Sequence, residues 1–109
     1  MKTENDIKEI LEFELSQNQK FDNWHGISKA NLSNRLVDPY EVNVFGEDKV
    51  DPPTKMWLVL KERENESEGY LIAYEQAAKE WYLVEILDDG TYFCDTAGDS
   101  SLFEALSNM

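Results

Sequence analysis

The sequence predicts an α+β fold in which an N-terminal helix, a four- to five-stranded antiparallel meander and a short C-terminal helix form a single domain over residues 1–109. Apolar residues recur at helical spacing near the start, and runs of aromatic and branched residues follow one another through the middle. A helix-capping pattern precedes the final apolar group. The strand-like runs are contiguous, and their links are too short for the crossovers of a parallel sheet.

The N-terminal helix is predicted to start at Thr3-Glu4-Asn5-Asp6, where Thr3 can cap free N–H groups and acids suit the positive end of the helix dipole. Phe13 falls off the main apolar stripe and would widen it. The helix is expected to end near residues 17–19, before a loop over residues 21–27. The stripe itself consists of Ile7, Ile10, Leu11 and Leu15.

Residues 28–38 allow two interpretations. Leu32 and Leu36 are spaced i, i+4, which favours a short helix. A period-two pattern of apolar residues that runs from Leu36 to Val44 favours a strand instead. Pro39 suits an edge strand or the first residue of a strand, which places the first strand near residues 39–45. Paired prolines and acids then predict a loop up to Thr54.

Apolar runs predict the next three strands, at residues 56–60, 70–74 and 81–87. The first run is apolar throughout, so either both of its faces are buried or one face is a binding surface. Residues 75–79 are predicted to turn the chain. A single helix over residues 70–87 is the alternative, which the β-rich runs on both sides disfavour.

Asp88-Asp89-Gly90 is the strongest hairpin signal and predicts a type I′ turn, which needs φ > 0 at its central residues. The returning strand follows at residues 91–95. Gly98 to Ser101 then leads into the last helix, where Ser101 and Glu104 have capping-box spacing.

The formal net charge is −13, and the acidic residues are unevenly placed. Residues 1–54 contain six basic and eleven acidic residues, residues 55–109 contain four and twelve, and no Lys or Arg follows Lys79. This balance argues against nucleic-acid binding and against anionic membrane surfaces, where phosphates require Lys and Arg. It favours a basic partner, or simply a solvated, solubilising surface.

Cysteine usage and hydropathy predict a cytoplasmic protein. Cys94 is the one cysteine, so no disulfide can form within the chain, and we expect a buried, inert thiol. The start of the chain lacks the apolar core of a signal peptide. No run approaches the about 20 apolar residues of a membrane span.

Catalytic and cofactor motifs are not found in the sequence. There is no nucleophile elbow and no glycine-rich phosphate loop, and His25 is the only histidine. Zinc would require several Cys and His ligands. We therefore expect no catalytic residues, no metal, no cofactor and no enzymatic activity.

Aromatic residues on the strands predict a protein-binding surface. The two helices would cover one face of the sheet and leave the other partly open, with aromatic anchors inside an acidic rim. Such a surface would attract a basic partner through its charge. The predicted partner-binding residues are Trp57, Tyr70, Tyr74, Glu80, Tyr82, Glu85, Asp88 and Asp89.

Three stretches resemble a family pattern: Gly69-Tyr70-Leu71-Ile72-Ala73-Tyr74, Trp81-Tyr82-Leu83-Val84 and Ser101-Leu102-Phe103-Glu104-Ala105-Leu106. The C-terminal half is similar to small acidic bacterial proteins, among them immunity proteins of polymorphic-toxin and contact-inhibition systems. That resemblance implies a basic toxin or nuclease as the partner. It assigns no role to any single residue.

Three functional hypotheses follow. The first is an immunity or antitoxin protein that occludes a basic toxin or nuclease. The second is a DNA mimic whose carboxylates copy phosphate spacing and inhibit a nucleic-acid-binding protein. The third is a ligand-binding or enzymatic domain with a deep pocket near Trp24 and His25, or else a homo-oligomeric domain. The same aromatics would serve a homodimer, so the chain is expected to be a monomer or a homodimer.

Overall fold

The helices and strands follow one another in the order that the sequence predicts, which confirms the α+β fold class. The computed structural model describes residues 4–16, 35–46, 52–62, 69–94 and 98–107. The predicted cap at Thr3, the loop at 21–27 and the pocket near Trp24 and His25 lie outside these residues. The elements are α1 (Glu4–Ser16), β1 (Leu36–Phe45), β2 (Thr54–Lys61), β3 (Leu71–Glu75), β4 (Glu80–Ile86), β5 (Tyr92–Phe93) and α2 (Leu102–Ser107).

The sheet is an antiparallel meander that closes into a barrel. Each strand pairs with the next in an antiparallel manner, and β5 also pairs with β1 in parallel through Val44–Tyr92 and Phe45–Phe93. The N–H of Cys94 donates to the carbonyl of Phe45 at 3.0 Å and extends this contact. The expectation of a partly open second face is therefore wrong, because that face is the interior of a barrel.

The run from Met56 to Leu60 is apolar throughout because both faces of β2 pack against apolar residues, and a β-bulge changes the face on which Leu60 lies. Leu58 pairs with Ala73 and Leu60 with Ile72, so one residue of β2 is extra. A bulge turns neighbouring side chains toward the same face. Leu58 faces the barrel interior, whereas Leu60 packs with the helices.

The sheet has apolar residues packed on both of its faces. One group fills the barrel, and the other lies between its outer surface and the two helices, so the two groups share one sheet. The inner group is Val44, Met56, Leu58, Leu71, Ala73 and Val84. The outer group is Ile7, Leu11, Val59, Leu60, Ile72, Tyr74, Trp81, Leu83, Leu102, Phe103, Ala105 and Leu106.

β1 begins at Leu36, earlier than the predicted start near residue 39. The register shifts between Leu36, which pairs with Leu60, and Tyr40. Pro39 is buried within this irregularity, where the missing N–H of proline interrupts no regular ladder. The described end of the ambiguous stretch 28–38 is therefore a strand, and residues 28–34 lie outside the described part of the chain.

Tight turns join β3 to β4 and β4 to β5. Residues 76–79 form the first turn, so the alternative of one helix over residues 70–87 is wrong. In the second turn the N–H of Gly90 donates to the carbonyl of Leu87 at 2.8 Å. Gly90 has φ of 85°, but Asp89 does not have positive φ, so the expected type I′ turn is wrong. A turn followed by a glycine in the left-handed region replaces it.

Lys79 is the described non-glycine residue with positive φ, at 57°, and it ends the β3–β4 turn. A side chain in this conformation is unfavourable by about 1 kcal/mol, whereas glycine adopts it freely. We expect Lys79→Gly to be about 1 kcal/mol more stable than Lys79→Ala, measured by urea unfolding. Both variants remove the same charge, so equal stabilities would contradict the strain at this position.

The two helices contact each other on the outer surface of the barrel. Glu14 Oε1 of α1 accepts a hydrogen bond of 2.8 Å from the N–H of Leu102 at the start of α2. The predicted capping pair is present, because the N–H of Glu104 donates to Ser101 Oγ at 3.1 Å. The Glu104 carboxylate accepts from Ser100 Oγ.

Candidate functional site

The aromatic residues that the sequence assigned to a binding surface are divided between the two faces of the sheet. Trp57 pairs with Tyr74, and Tyr74 pairs with Trp81, so these three lie in one row beneath the helices. The ring centroids of Tyr74 and Trp81 are 4.6 Å apart. Tyr74 is only 4% exposed and belongs to the core, while Trp57 and Tyr70 are half-buried against it.

Tyr82 lies on the opposite face from Trp57. It pairs with Ala73 and packs against the residues inside the barrel. Its hydroxyl donates to Glu75 Oε2 at 3.3 Å. The structure therefore does not bring the two predicted anchors Trp57 and Tyr82 together on one face.

Two carboxylates flank the Tyr82 hydroxyl. Glu75 and Glu80 are direct cross-strand partners between β3 and β4. Burial, together with the negative charges of Glu75 and Glu80 and the hydrogen bond to Glu75, raises the pKa of Tyr82 to about 12. The neutral phenol is therefore the form that the folded protein favours.

Alkaline pH is expected to destabilise the protein through Tyr82. An unfolded tyrosine titrates near 10.0, below the folded pKa of about 12, so its contribution is complete below pH 10 and is lost between pH 10 and 12. Burial and the charge of Glu14 raise the pKa of Tyr74 in the same direction. In urea unfolding at several pH values, Tyr82→Phe should show a shallower alkaline decline than the wild type. Identical declines would contradict this assignment.

The β4–β5 hairpin brings three of the predicted acids together. Glu85, Asp88 and Asp89 border an open depression of about 450 Å³, together with Ile86 and Leu87. Asp88 and Asp89 are exposed, and Asp89 Oδ1 accepts from the N–H of Thr91 at 2.9 Å. This hairpin tip can attract a cation, but none of the described residues that border the depression is aromatic.

The outer face of α1 supplies an exposed aromatic residue that is not among the predicted anchors. Phe13 is 65% exposed, so the expectation that it widens the buried stripe is wrong. With Asp6, Glu9 and Ile10 it borders a depression of about 430 Å³. The sequence signal was present, because a large aromatic side chain stands among acids on the polar side of the helix. We call these four residues the Phe13 surface.

A groove runs along the other side of α1, against the irregular start of β1. Its volume is about 350 Å³, and a salt bridge of 3.3 Å between Lys8 Nζ and Asp38 Oδ1 lies at its edge. This groove can accept an apolar side chain. It is lined by Lys8, Leu11, Glu12, Leu15, Leu36, Val37, Asp38 and Pro39.

The exposed charges of the described residues are mostly negative. The exposed basic residues among them are Lys55 and Lys79. The exposed acidic residues lie on α1, β1, the β4–β5 hairpin and α2, and they are Glu4, Glu9, Glu12, Asp38, Glu41, Asp88, Asp89 and Glu104. The acidic surface thus extends well beyond the segment after Lys79.

Within the residues that the structure describes, no three His, Cys, Asp or Glu side chains come close enough together to hold a metal ion. In that same part of the chain, no helix combines the length and the apolar character needed to cross a membrane. Comparisons of the chain with protein-family models, curated proteins and solved structures gave no match.

Proposed function

We propose that this chain is a cytoplasmic protein-binding module that neutralises a basic protein partner, a toxin or nuclease, as an immunity protein does. The observation that carries the proposal is the excess of exposed negative charge. In the described part of the chain, exposed acidic residues lie on α1, β1, the β4–β5 hairpin and α2, whereas the exposed basic residues are Lys55 and Lys79. A net charge of −13 on 109 residues produces a strong negative field around such a surface.

The mechanism is occlusion guided by charge. A nuclease or other nucleic-acid-binding protein presents basic residues where phosphates bind, and a negative surface is attracted to the same place. Once docked, the rigid barrel blocks access to the partner's active site. No chemical step is required, and the barrel and helices provide a fixed shape for the contact.

The test is association with a basic partner at different salt concentrations. A gene for a basic toxin immediately upstream of the one that encodes this chain would supply the first candidate. We expect a stable complex whose association rate constant falls by about tenfold or more between 0.01 and 0.5 M salt, measured by stopped flow. Binding that is absent, or that does not respond to salt, would contradict the proposal.

Matched variants locate the contact. Replacing Glu4, Glu9 and Glu12 by Gln removes three exposed charges from α1, and replacing Asp88, Asp89 and Glu104 by Asn, Asn and Gln removes three elsewhere. A slower association in at least one triple variant supports the electrostatic mechanism. Displacement of the protein from its partner by duplex DNA would show that both compete for the nucleic-acid-binding site, as the DNA-mimic hypothesis predicts.

A further inference from the structure

The Phe13 surface combines an exposed aromatic ring with carboxylates on one side of α1. Asp6, Glu9, Ile10 and Phe13 are spaced i, i+3, i+4 and i+7, so their side chains project from the same helical face. They border one depression of about 430 Å³. The Phe13 side chain is 65% exposed, although α1 packs against the core through Ile7 and Leu11.

This combination has a specific chemical match. The face of an aromatic ring attracts a cation, and a planar guanidinium stacks on it more readily than a strongly hydrated ammonium does. Carboxylates beside the ring accept hydrogen bonds from the same guanidinium. The half-buried Ile10 offers apolar surface to the methylene groups of a long side chain.

We infer that the Phe13 surface binds an arginine side chain of the partner protein. The guanidinium stacks on the exposed Phe13 ring, and the exposed Glu9 carboxylate neutralises its charge. The inference rests on the proposed function, because it names the surface and the side chain through which a basic partner is recognised. It places the principal contact on α1 and not on the β4–β5 hairpin, since none of the described residues that border the hairpin depression is aromatic.

The experiment uses the full chain with fluorescein-labelled hexaarginine and hexalysine as probes, read by fluorescence anisotropy. Phe13→Leu keeps the charge and an apolar side chain but removes the ring. We expect it to raise the dissociation constant for hexaarginine about two- to fivefold, and that for hexalysine less. Far-UV circular dichroism checks that α1 is retained.

A second pair of variants tests the carboxylates. Glu9→Gln and Glu41→Gln each remove one exposed acid, from the Phe13 surface and from β1 respectively. We expect Glu9→Gln to weaken hexaarginine binding about two- to fivefold and Glu41→Gln to change it less than about 1.5-fold. Equal effects of the two, an unchanged affinity in Phe13→Leu, or no hexaarginine binding would overturn the inference.

The same variants separate this inference from the proposed function. A basic partner that binds Phe13→Leu and Glu9→Gln as tightly as the wild type, with the expected salt dependence, overturns the arginine site and leaves the proposed function intact. A partner that binds the wild type more tightly than it binds either variant supports both the arginine site and the proposed function.

Discussion

Trp81→Ala is expected to remove about 3–5 kcal/mol from the free energy of unfolding. Trp81 is 2% exposed and lies in the group of residues between the barrel and the helices. Its ring contacts Tyr74, and its backbone exchanges two hydrogen bonds of 2.8 Å with Asp99. Truncation of the Trp81 side chain leaves a cavity. The neighbouring side chains cannot move inward to fill it, because backbone hydrogen bonds hold their strands in place.

Trp57→Ala provides the comparison for that result. Trp57 belongs to the same row of side chains, but it is half-buried, so its truncation exposes less new apolar surface. Guanidinium unfolding followed by far-UV circular dichroism avoids the loss of tryptophan fluorescence as a confounding signal. A loss as large in Trp57→Ala as in Trp81→Ala would contradict the assignment of Trp81 to the core and Trp57 to its margin.

Gly98→Ala is expected to destabilise the protein by about 1–3 kcal/mol. A Cβ atom at this position would lie 2.8 Å from Cζ of Tyr82, and 2.7 and 2.9 Å from Oε2 and Cβ of Glu80. The Tyr82 ring and the Glu80 Cβ belong to a paired strand and cannot retreat without moving β4. The added methyl group therefore displaces either the strand or the segment that enters α2.

Gly46→Ala is the matched control, because a Cβ atom there would meet nothing within 4 Å and its φ is not positive. We expect its stability to equal the wild type or to exceed it by up to about 1 kcal/mol, since alanine restricts the unfolded chain. Urea unfolding of both variants measures the difference. Stabilities within error of each other would show that Gly98 is not tightly packed.

The fold class was predictable because the strands carry long β-rich runs separated by strong turn residues. The closure of the barrel was not, because it depends on two parallel pairs between β1 and β5, which are far apart in the sequence. The bulge at Val59 was also hidden, since a single extra residue reverses which face each later side chain occupies.

The division of the predicted aromatic anchors between two faces was not predictable for a related reason. Alternation along a strand shows that Trp57 and Met56 point to opposite faces of the sheet. It does not show which residues of a neighbouring strand point to the same face as Trp57. The prediction therefore placed Trp57 and Tyr82 on one surface, although they lie on opposite faces. Phe13 lies off the main apolar stripe in the sequence, and its hydrophobicity predicted that it would widen the stripe. Its exposure depends on where α1 rests on the barrel, which helical spacing does not determine.

Within the described barrel, the contact between β1 and β5 is also where we expect local opening to begin. It consists of two paired positions and the neighbouring Cys94 N–H, whereas β3 and β4 pair at five positions. The two pairs between β4 and β5 are supported by the hydrogen bonds of the turn that joins these strands, and β1 and β5 have no such turn between them. Parallel pairing is slightly weaker per residue, and local opening begins where the fewest interactions must break. We therefore expect brief separation of β1 from β5 to admit water to the barrel interior while β2, β3 and β4 stay paired. Amide protons at this junction should exchange with solvent ahead of those in the central strands.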